Sequence, residues 1–164
     1  MASLAAHRLQ AVVSTVIDGV LVGGAEAALD LPPRSAARRR RYLSLMALVA
    51  ADAVANELPV LRRAFQGMPA EPPLPADRAV LRNTGLVTTG WGLAVTVVDG
   101  PIARELRRRG ARRPHLLLGI GAGIGTAACM FPVRWRRAAE RAAEDRAAAE
   151  LDEELAELLA QSSG

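Results

Sequence analysis

Four long apolar blocks constrain the fold of this chain more than any other feature of its 164 residues. They cover Leu9–Leu29, Tyr42–Leu61, Val80–Val98 and Leu116–Val133. Each block is about 18 to 21 residues long, and a helix needs roughly 20 apolar residues to cross the hydrocarbon core of a bilayer. Strands are not expected, because the blocks are long and rich in alanine and glycine, which are poor strand formers. The blocks therefore predict an all-α protein whose helices cross a membrane.

The four blocks differ in the charges that they contain. The fourth has no charged residue, and the third is uncharged over 85–98. The first contains Asp18 and Glu26, and the second contains Asp52 and Glu57. A carboxylate at the centre of a membrane helix costs about 2.5–3.5 kcal/mol on insertion scales. The third and fourth blocks are therefore the stronger predicted spans, and the first two need partner helices for their acids.

Small residues supply the predicted contacts between these helices. Aromatic residues make up only 3% of the chain, and small residues let helix backbones approach closely in lipid. Three glycine pairs at four-residue spacing are predicted packing surfaces: Gly19 with Gly23, Gly119 with Gly123, and Gly121 with Gly125. The glycine run of the fourth block lacks the Gly-Lys-Ser/Thr ending of a phosphate-binding loop, so a nucleotide site is not predicted there.

An Asp-x-Pro motif followed by an arginine run occurs twice, with an offset of 69 residues between Asp30 and Asp99. The recurrence predicts a tandem repeat of a two-helix hairpin, with each Asp-x-Pro at a turn. The alternative is chance similarity between two arginine-rich turns. The predicted divisions are 1–63 for the first hairpin, 64–79 for a proline-rich connection, 80–133 for the second hairpin, and 134–164 for a charged C-terminal helix and tail.

The distribution of arginine indicates an orientation. All 21 basic residues are arginines. If the repeat holds, both arginine-rich turns lie on one side of the membrane, and the positive-inside rule favours the cytoplasm for them. The opposite side also carries arginines, namely Arg8, Arg62, Arg63, Arg78 and those at the start of the C-terminal segment. The two turns carry Arg34, Arg38, Arg39, Arg40, Arg41, Arg104, Arg107, Arg108, Arg109, Arg112 and Arg113. Although the net charge is +4, the arginines flank apolar blocks, so nucleic acid is not a predicted partner.

Asp18 and Asp52 are the residues most suggestive of chemistry. Each lies near the middle of its block, so an antiparallel hairpin would bring both carboxylates to a similar depth. Two buried carboxylates favour a shared proton or cation, which makes this pair a candidate ion or proton site. The alternatives are that the acids face water, or that they make structural contacts with Ser14, Asn56 or Arg82.

The remaining candidate groups predict neither a metal site nor a cofactor. His7 and His115 have no Cys, His or carboxylate at a local metal-ligand spacing, and the single Cys129 excludes an intramolecular disulfide. No catalytic motif is present in the sequence. The last segment is rich in helix-forming Ala, Glu, Arg and Leu, and Trp135 with its neighbouring arginines suits a membrane interface.

These observations together predict a four-helix transmembrane bundle, built from two tandem hairpins, with an additional C-terminal amphipathic helix. The expected protein is a multi-pass protein of the cell membrane without enzymatic activity, an accessory or scaffold subunit that packs against partner helices. One alternative is a small transporter or channel component that uses Asp18 and Asp52. A second alternative is a soluble alanine-rich homo-oligomer. The expected partners are the lipid bilayer and either a membrane protein or further copies of the chain.

Overall fold

The computed structural model describes residues 3–67 and 75–162, and every regular element in these ranges is helical. The elements are α1 (Leu4–Ala27), a short 3-10 turn (Ala28–Asp30), α2 (Ala36–Phe65), α3 (Pro75–Arg108) and α4 (Pro114–Ser162). The prediction of an all-α chain with four long helices is therefore confirmed. Residues 68–74 of the predicted proline-rich connection lie outside the described residues.

The centre of the fold is an antiparallel pair formed by the first and last helices. Glycines mark their closest approach, where Gly19 faces Gly123 and Gly23 faces Gly119. Helix α2 packs on the α1 side of this pair, and α3 packs on the α4 side. The helices thus follow the spatial order α2, α1, α4, α3. The two connections over 31–35 and 109–113 lie at the same end of the molecule.

Local sequence signals explain where several helices begin and end. The Ser3 side chain accepts a hydrogen bond from the Ala6 N–H at 3.2 Å, and Ser35 accepts one from the Arg38 N–H at 3.1 Å, as expected of N-caps. At the end of α3, Gly110 adopts a φ of +86°, a conformation that favours glycine. Its N–H and that of Ala111 donate to carbonyl groups of the last helical turn.

The second Asp-x-Pro motif does not form the predicted turn. Asp30 ends the 3-10 turn as expected, but Asp99 and Pro101 lie inside α3. After Asp30 the adjacent Pro32 and Pro33 stop the helix, whereas a single proline follows Asp99 and strong helix formers continue to Gly110. The two hairpins therefore turn at positions that do not correspond in sequence.

The predicted C-terminal helix is a continuation of α4. That helix runs without interruption for 49 residues and passes through Pro132. The residues that follow Pro132 are mainly Ala, Arg, Glu and Leu, whose helix propensity outweighs the one backbone hydrogen bond that a proline removes. At about 1.5 Å per residue, α4 is roughly 73 Å long, so its last turns project beyond the other helices.

Large apolar side chains lie mostly on the outside of the described helices and small ones lie inside, whereas a soluble protein usually buries its large apolar side chains. Among the side chains that the structure describes, seven of the nine buried apolar ones are alanines, and the other two are Leu45 and Met130. The larger apolar side chains are mostly outside, including Val16 at 55% exposure, Ile124 at 67% and Leu93 at 62%. Ser14, Thr15, Glu26, His115 and Thr126 are buried. The interior of the described helices is thus small and polar, while their outer faces are apolar.

Two of the described helical segments are long and apolar enough to cross a membrane, namely Leu4–Asp30 and α4. These segments contain the first and fourth blocks, whereas the sequence predicts the third and fourth blocks as the stronger spans. The second and third blocks, in α2 and α3, include side chains outside the described residues, so their membrane spans stay predictions. Of the most apolar 18-residue stretch of each segment, only 22% in Leu4–Asp30 and 28% in α4 is buried. Both values are below those of a core helix in a soluble protein, which is mostly buried.

Candidate functional site

A buried cluster of one histidine and two carboxylates lies at the end of the molecule that carries the arginine-rich connections. His115, in the first turn of α4, places its Nδ1 2.8 Å from Glu26 Oε1 and 2.9 Å from Asp99 Oδ1. Glu26 comes from the last turn of α1, and Asp99 comes from the interior of α3. Three helices that are distant in sequence therefore meet at one imidazole nitrogen.

The contacts of His115 indicate how its two ring nitrogens are used. Arg107 Nη2 lies 3.3 Å from His115 Nε2. A guanidinium group has only donors, so this contact fits the tautomer in which Nε2 accepts and Nδ1 carries the proton. The Nδ1–H donates to Glu26 at 2.8 Å. The ring is thus held between an arginine on one side and two acids on the other.

The second carboxylate of the cluster lacks a donor. Asp99 Oδ1 is buried and, among the described residues, has no hydrogen-bond partner, although it lies 2.9 Å from His115 Nδ1. The two distances are compatible because the single Nδ1–H is already directed at Glu26. A buried carboxylate oxygen without a donor is costly, since it has lost its water without replacement. The cluster therefore has room for one more positive group, a proton or a cation, between its acids.

Asp30 fixes the helix turn that presents the histidine. Its two carboxylate oxygens accept the backbone N–H groups of Leu116 at 2.8 Å and His115 at 3.3 Å. These groups belong to the first turn of α4, where N–H groups have no partner within the helix. A carboxylate at this position also interacts favourably with the positive end of the helix dipole. Asp30 thus acts as an N-cap supplied from the other hairpin, and it holds His115 in place.

An open apolar groove of about 500 Å³ runs between α3 and α4 and reaches the cluster. Asp99 is one of its lining residues, and the others are apolar: Ala94, Val95, Val98, Leu106, Leu117, Leu118, Gly121 and Ala122. Asp99 is the most exposed side chain of the three, at 22%, while those of Glu26 and His115 are 9% and 11% exposed. The groove thus gives access to the cluster from the α3 side.

Asp18 and Asp52, the predicted ion or proton site, have separate partners in the structure. Asp18 forms a two-point ion pair with Arg134 of α4, with distances of 2.7 and 3.0 Å. Asp52 accepts a hydrogen bond from the Ser14 hydroxyl at 2.6 Å, and Asn56 donates to the same hydroxyl oxygen at 3.2 Å. Each carboxylate has a partner on α1 or α4, and the contacts are those of structural links between helices.

Four of the six predicted packing glycines lie at the contact of α1 with α4. A Cβ added to Gly19 would lie 2.8 Å from the carbonyl oxygen of Gly123, and one added to Gly23 would lie 2.6 Å from that of Gly119. A Cβ at Gly119 or Gly123 would meet the opposite backbone equally closely. Only glycine permits this approach.

Gly121, in the second predicted glycine pair of α4, makes no such contact. Gly121 lines the α3–α4 groove, and no described atom of a neighbouring helix lies within 4 Å of a Cβ added there. Gly125, one turn further along α4, is half-buried. Of the two glycine surfaces predicted on α4, the one formed by Gly119 and Gly123 packs against α1.

The acid–histidine cluster was not predicted, because its members are far apart in sequence and have no motif. Two weak signals pointed to it. Glu26 was expected to need a partner helix, and Asp99 corresponded to Asp30 in the proposed repeat. Both aspartates do converge on the start of α4. No protein-family model matches the chain, and neither a curated protein nor a solved structure is detectably similar to it.

Proposed function

We propose that this chain is a multi-pass integral membrane protein without enzymatic activity, which acts as an accessory or scaffold subunit for partner helices. The observation that carries the proposal is the outward exposure of large apolar side chains around a small and polar interior. In water this arrangement would leave extensive apolar surface exposed, which monomeric soluble proteins avoid. In a bilayer the outer faces contact lipid, and small residues and polar groups hold the helices together.

The ion pair of Asp18 with Arg134 supports the same proposal. Their side chains are only 20% and 19% exposed, and the two charges neutralise each other between α1 and α4. Charged residues inside membrane bundles characteristically face the interior and pair with one another. The pair therefore removes the main objection to the first block as a membrane span, namely its midspan acid.

The two arginine-rich connections lie at one end of the molecule, and the positive-inside rule assigns this end to the cytoplasm. The N-terminus and the far end of α4 then lie on the opposite side. At that end His7 pairs with Asp145 at 3.0 Å, and Arg8 lies 4.9 Å from the centre of the Trp135 ring. Tryptophan and arginine together are typical of a membrane–water interface.

A scaffold role is supported by the surfaces that the fold leaves uncovered. Helices α2 and α3 flank the central pair, and their outer faces carry exposed Leu43, Met46, Leu93 and Val97. The projecting end of α4 presents Leu151, Leu155, Leu158 and Leu159 among acidic residues. The faces of α2 and α3 are available to a neighbouring helix in lipid, and the end of α4 offers an apolar edge to a helix beyond the bilayer. The contacts of Asp18 with Arg134 and of Asp52 with Ser14 support a structural role for these carboxylates over the transporter alternative.

Membrane insertion is tested by fractionation of cells that express the chain. We expect it in the membrane pellet after an alkaline carbonate wash, with release only by detergent. Recovery in the supernatant without detergent would overturn the proposal and favour the soluble homo-oligomer, whose copies would have to cover the apolar faces.

The scaffold role is tested by a photo-crosslinking residue at Leu93 or Val97, which lie one turn apart on α3 and are 62% and 73% exposed. A partner helix on this face should give the same discrete protein adduct from both positions. Arg112, in the exposed connection before α4, is the control and should not give that adduct. The same residue is also placed at Leu43, on the exposed face of α2. The scaffold role is wrong, even if the protein is inserted, if lipid adducts alone form at Leu43, Leu93 and Val97.

A further inference from the structure

We propose that Glu26, Asp99 and His115 form a binding site for a divalent transition-metal ion, with Zn²⁺ as the ion that the donors fit best. Their donor atoms all lie within 4.8 Å of one another, and they come from three different helices. The proposal concerns this cluster alone and does not depend on a scaffold role.

The distances suit a metal ion with little rearrangement. Zinc binds imidazole nitrogen and carboxylate oxygen at about 2.0–2.2 Å in tetrahedral geometry, which places neighbouring donors about 3.3–3.6 Å apart. The Nδ1 of His115 now lies 2.8 Å from Glu26 and 2.9 Å from Asp99. Each carboxylate would therefore withdraw by less than about 1 Å to admit the ion, which a side-chain rotation provides.

The donor set selects the class of ion. Imidazole nitrogen and carboxylate oxygen are both ligands of Zn²⁺, and imidazole also suits its first-row neighbours. Mg²⁺ and Ca²⁺ prefer six or more oxygen ligands, and two carboxylates with a histidine do not supply them. Three protein donors leave one tetrahedral position for water or for a group that enters along the α3–α4 groove, which Asp99 lines.

The charges of the cluster favour a cation over the unoccupied arrangement. The neutral His115 provides one N–H for two acids, and Asp99 Oδ1 has no donor among the described residues. A divalent ion would satisfy both carboxylates at once. The positive end of the α4 dipole opposes a cation, and the carboxylate of Asp30 offsets it at the first-turn N–H groups of His115 and Leu116.

Arg107 competes with the ion and supplies a specific test. For Nδ1 to bind a metal, its proton must move to Nε2, where Arg107 now donates. Two donors cannot share that position, so Arg107 has to withdraw, and its exposed side chain can do so. Arg107→Gln removes the competing donor and its positive charge, and it leaves Nε2–H free to donate to water. The variant should therefore bind Zn²⁺ more tightly than the natural chain.

The experiment uses the full chain in dodecyl maltoside, with its affinity tag removed and metals stripped by a chelator. Isothermal titration with ZnCl₂ should give one ion per chain. The affinity should fall at least tenfold in Glu26→Gln, Asp99→Asn and His115→Gln. His7→Gln is the matched control, because His7 pairs with Asp145 at 3.0 Å but belongs to no three-donor group among the described residues. MgCl₂ should give no comparable binding.

Gel filtration separates loss of binding from loss of folding in the three ligand variants. Where one of them aggregates, Arg107→Gln decides, because it changes no proposed ligand and should bind more tightly. The absorption spectrum of bound Co²⁺ should report nitrogen and oxygen ligands in tetrahedral geometry, and it should change in His115→Gln but not in His7→Gln. Absence of Zn²⁺ binding by the natural chain, binding that His7→Gln abolishes, or equal affinity of the natural chain and folded ligand variants would overturn the proposal.

Discussion

The contact of α1 with α4 depends on the absence of a side chain at Gly23, and Gly23→Ala tests this dependence. The new Cβ would lie 2.6 Å from the Gly119 carbonyl oxygen, whereas ordinary contacts begin near 3.4 Å. The helices would have to separate by about 0.8 Å at this point. Forcing a methyl group into a packed contact costs about 1–3 kcal/mol, because the neighbouring backbone cannot rotate away.

Gly121→Ala is the matched control on the other surface of α4. No described atom of a neighbouring helix lies within 4 Å of its added Cβ. Both substitutions replace a helical glycine, and both gain the same roughly 0.5–1 kcal/mol of intrinsic helix stability. The difference between the two variants therefore isolates the steric cost, and we expect Gly23→Ala to be less stable than Gly121→Ala by about 1–3 kcal/mol.

The assay is unfolding by dodecyl sulfate in dodecyl maltoside micelles, followed through the fluorescence of Trp135 in a Trp91→Phe background. Trp135 suits this purpose because Arg8 of α1 lies 4.9 Å from its ring centre. Gly119→Ala should behave like Gly23→Ala, and the double variant should lose less than the sum, because one separation relieves both contacts. Equal stabilities of Gly23→Ala and Gly121→Ala would refute the close approach.

Three further predictions use the same unfolding assay. Asp18→Asn or Arg134→Gln should each destabilise the fold by about 1–3 kcal/mol, because each leaves its partner's charge unpaired. The double variant should lose less than the sum, because it has no unpaired charge, and additive losses would contradict the ion pair. Ser14→Ala should cost about 1–3 kcal/mol by leaving the half-buried Asp52 without its hydroxyl donor, and an unchanged midpoint would show that this bond is not formed. Asp30→Ala should cost about 0.5–2 kcal/mol through loss of the cap on α4, and it should also weaken Zn²⁺ binding, whereas a change in neither quantity would contradict its positioning role.

The helices were predictable because length, composition and capping signals are local. The four blocks gave the number of helices and their class, and the spacing of Gly19 with Gly23 and of Gly119 with Gly123 indicated two surfaces that meet in the structure. The ends of the helices were less predictable. Pro101 and Pro132 each remove one hydrogen bond but do not stop a helix, because runs of Ala, Arg, Glu and Leu follow each proline and are strong helix formers.

The partners of the buried acids were not predictable, because each partner comes from another helix. Asp18 is 116 residues from Arg134, and Glu26 is 89 residues from His115. Neither separation leaves a pattern in one sequence. The interpretation of Asp18 and Asp52 as one site, at a similar depth, followed from the hairpin alone, and it omitted α4, which packs more extensively on α1 than α2 does. The cost of a buried carboxylate indicated that partners must exist, but only the packing identified them.

The most direct test of membrane insertion uses Cys129, the single cysteine of the chain. It lies within the fourth apolar block, and its side chain is exposed on α4, so the described helices do not cover it and lipid would. A membrane-impermeant maleimide should therefore leave Cys129 unlabelled in sealed vesicles and label it after denaturation. Arg112→Cys in a Cys129→Ser background, in the exposed connection before α4, should react in vesicles that present that side. Labelling of Cys129 in intact vesicles as fast as that control would contradict a membrane-spanning α4.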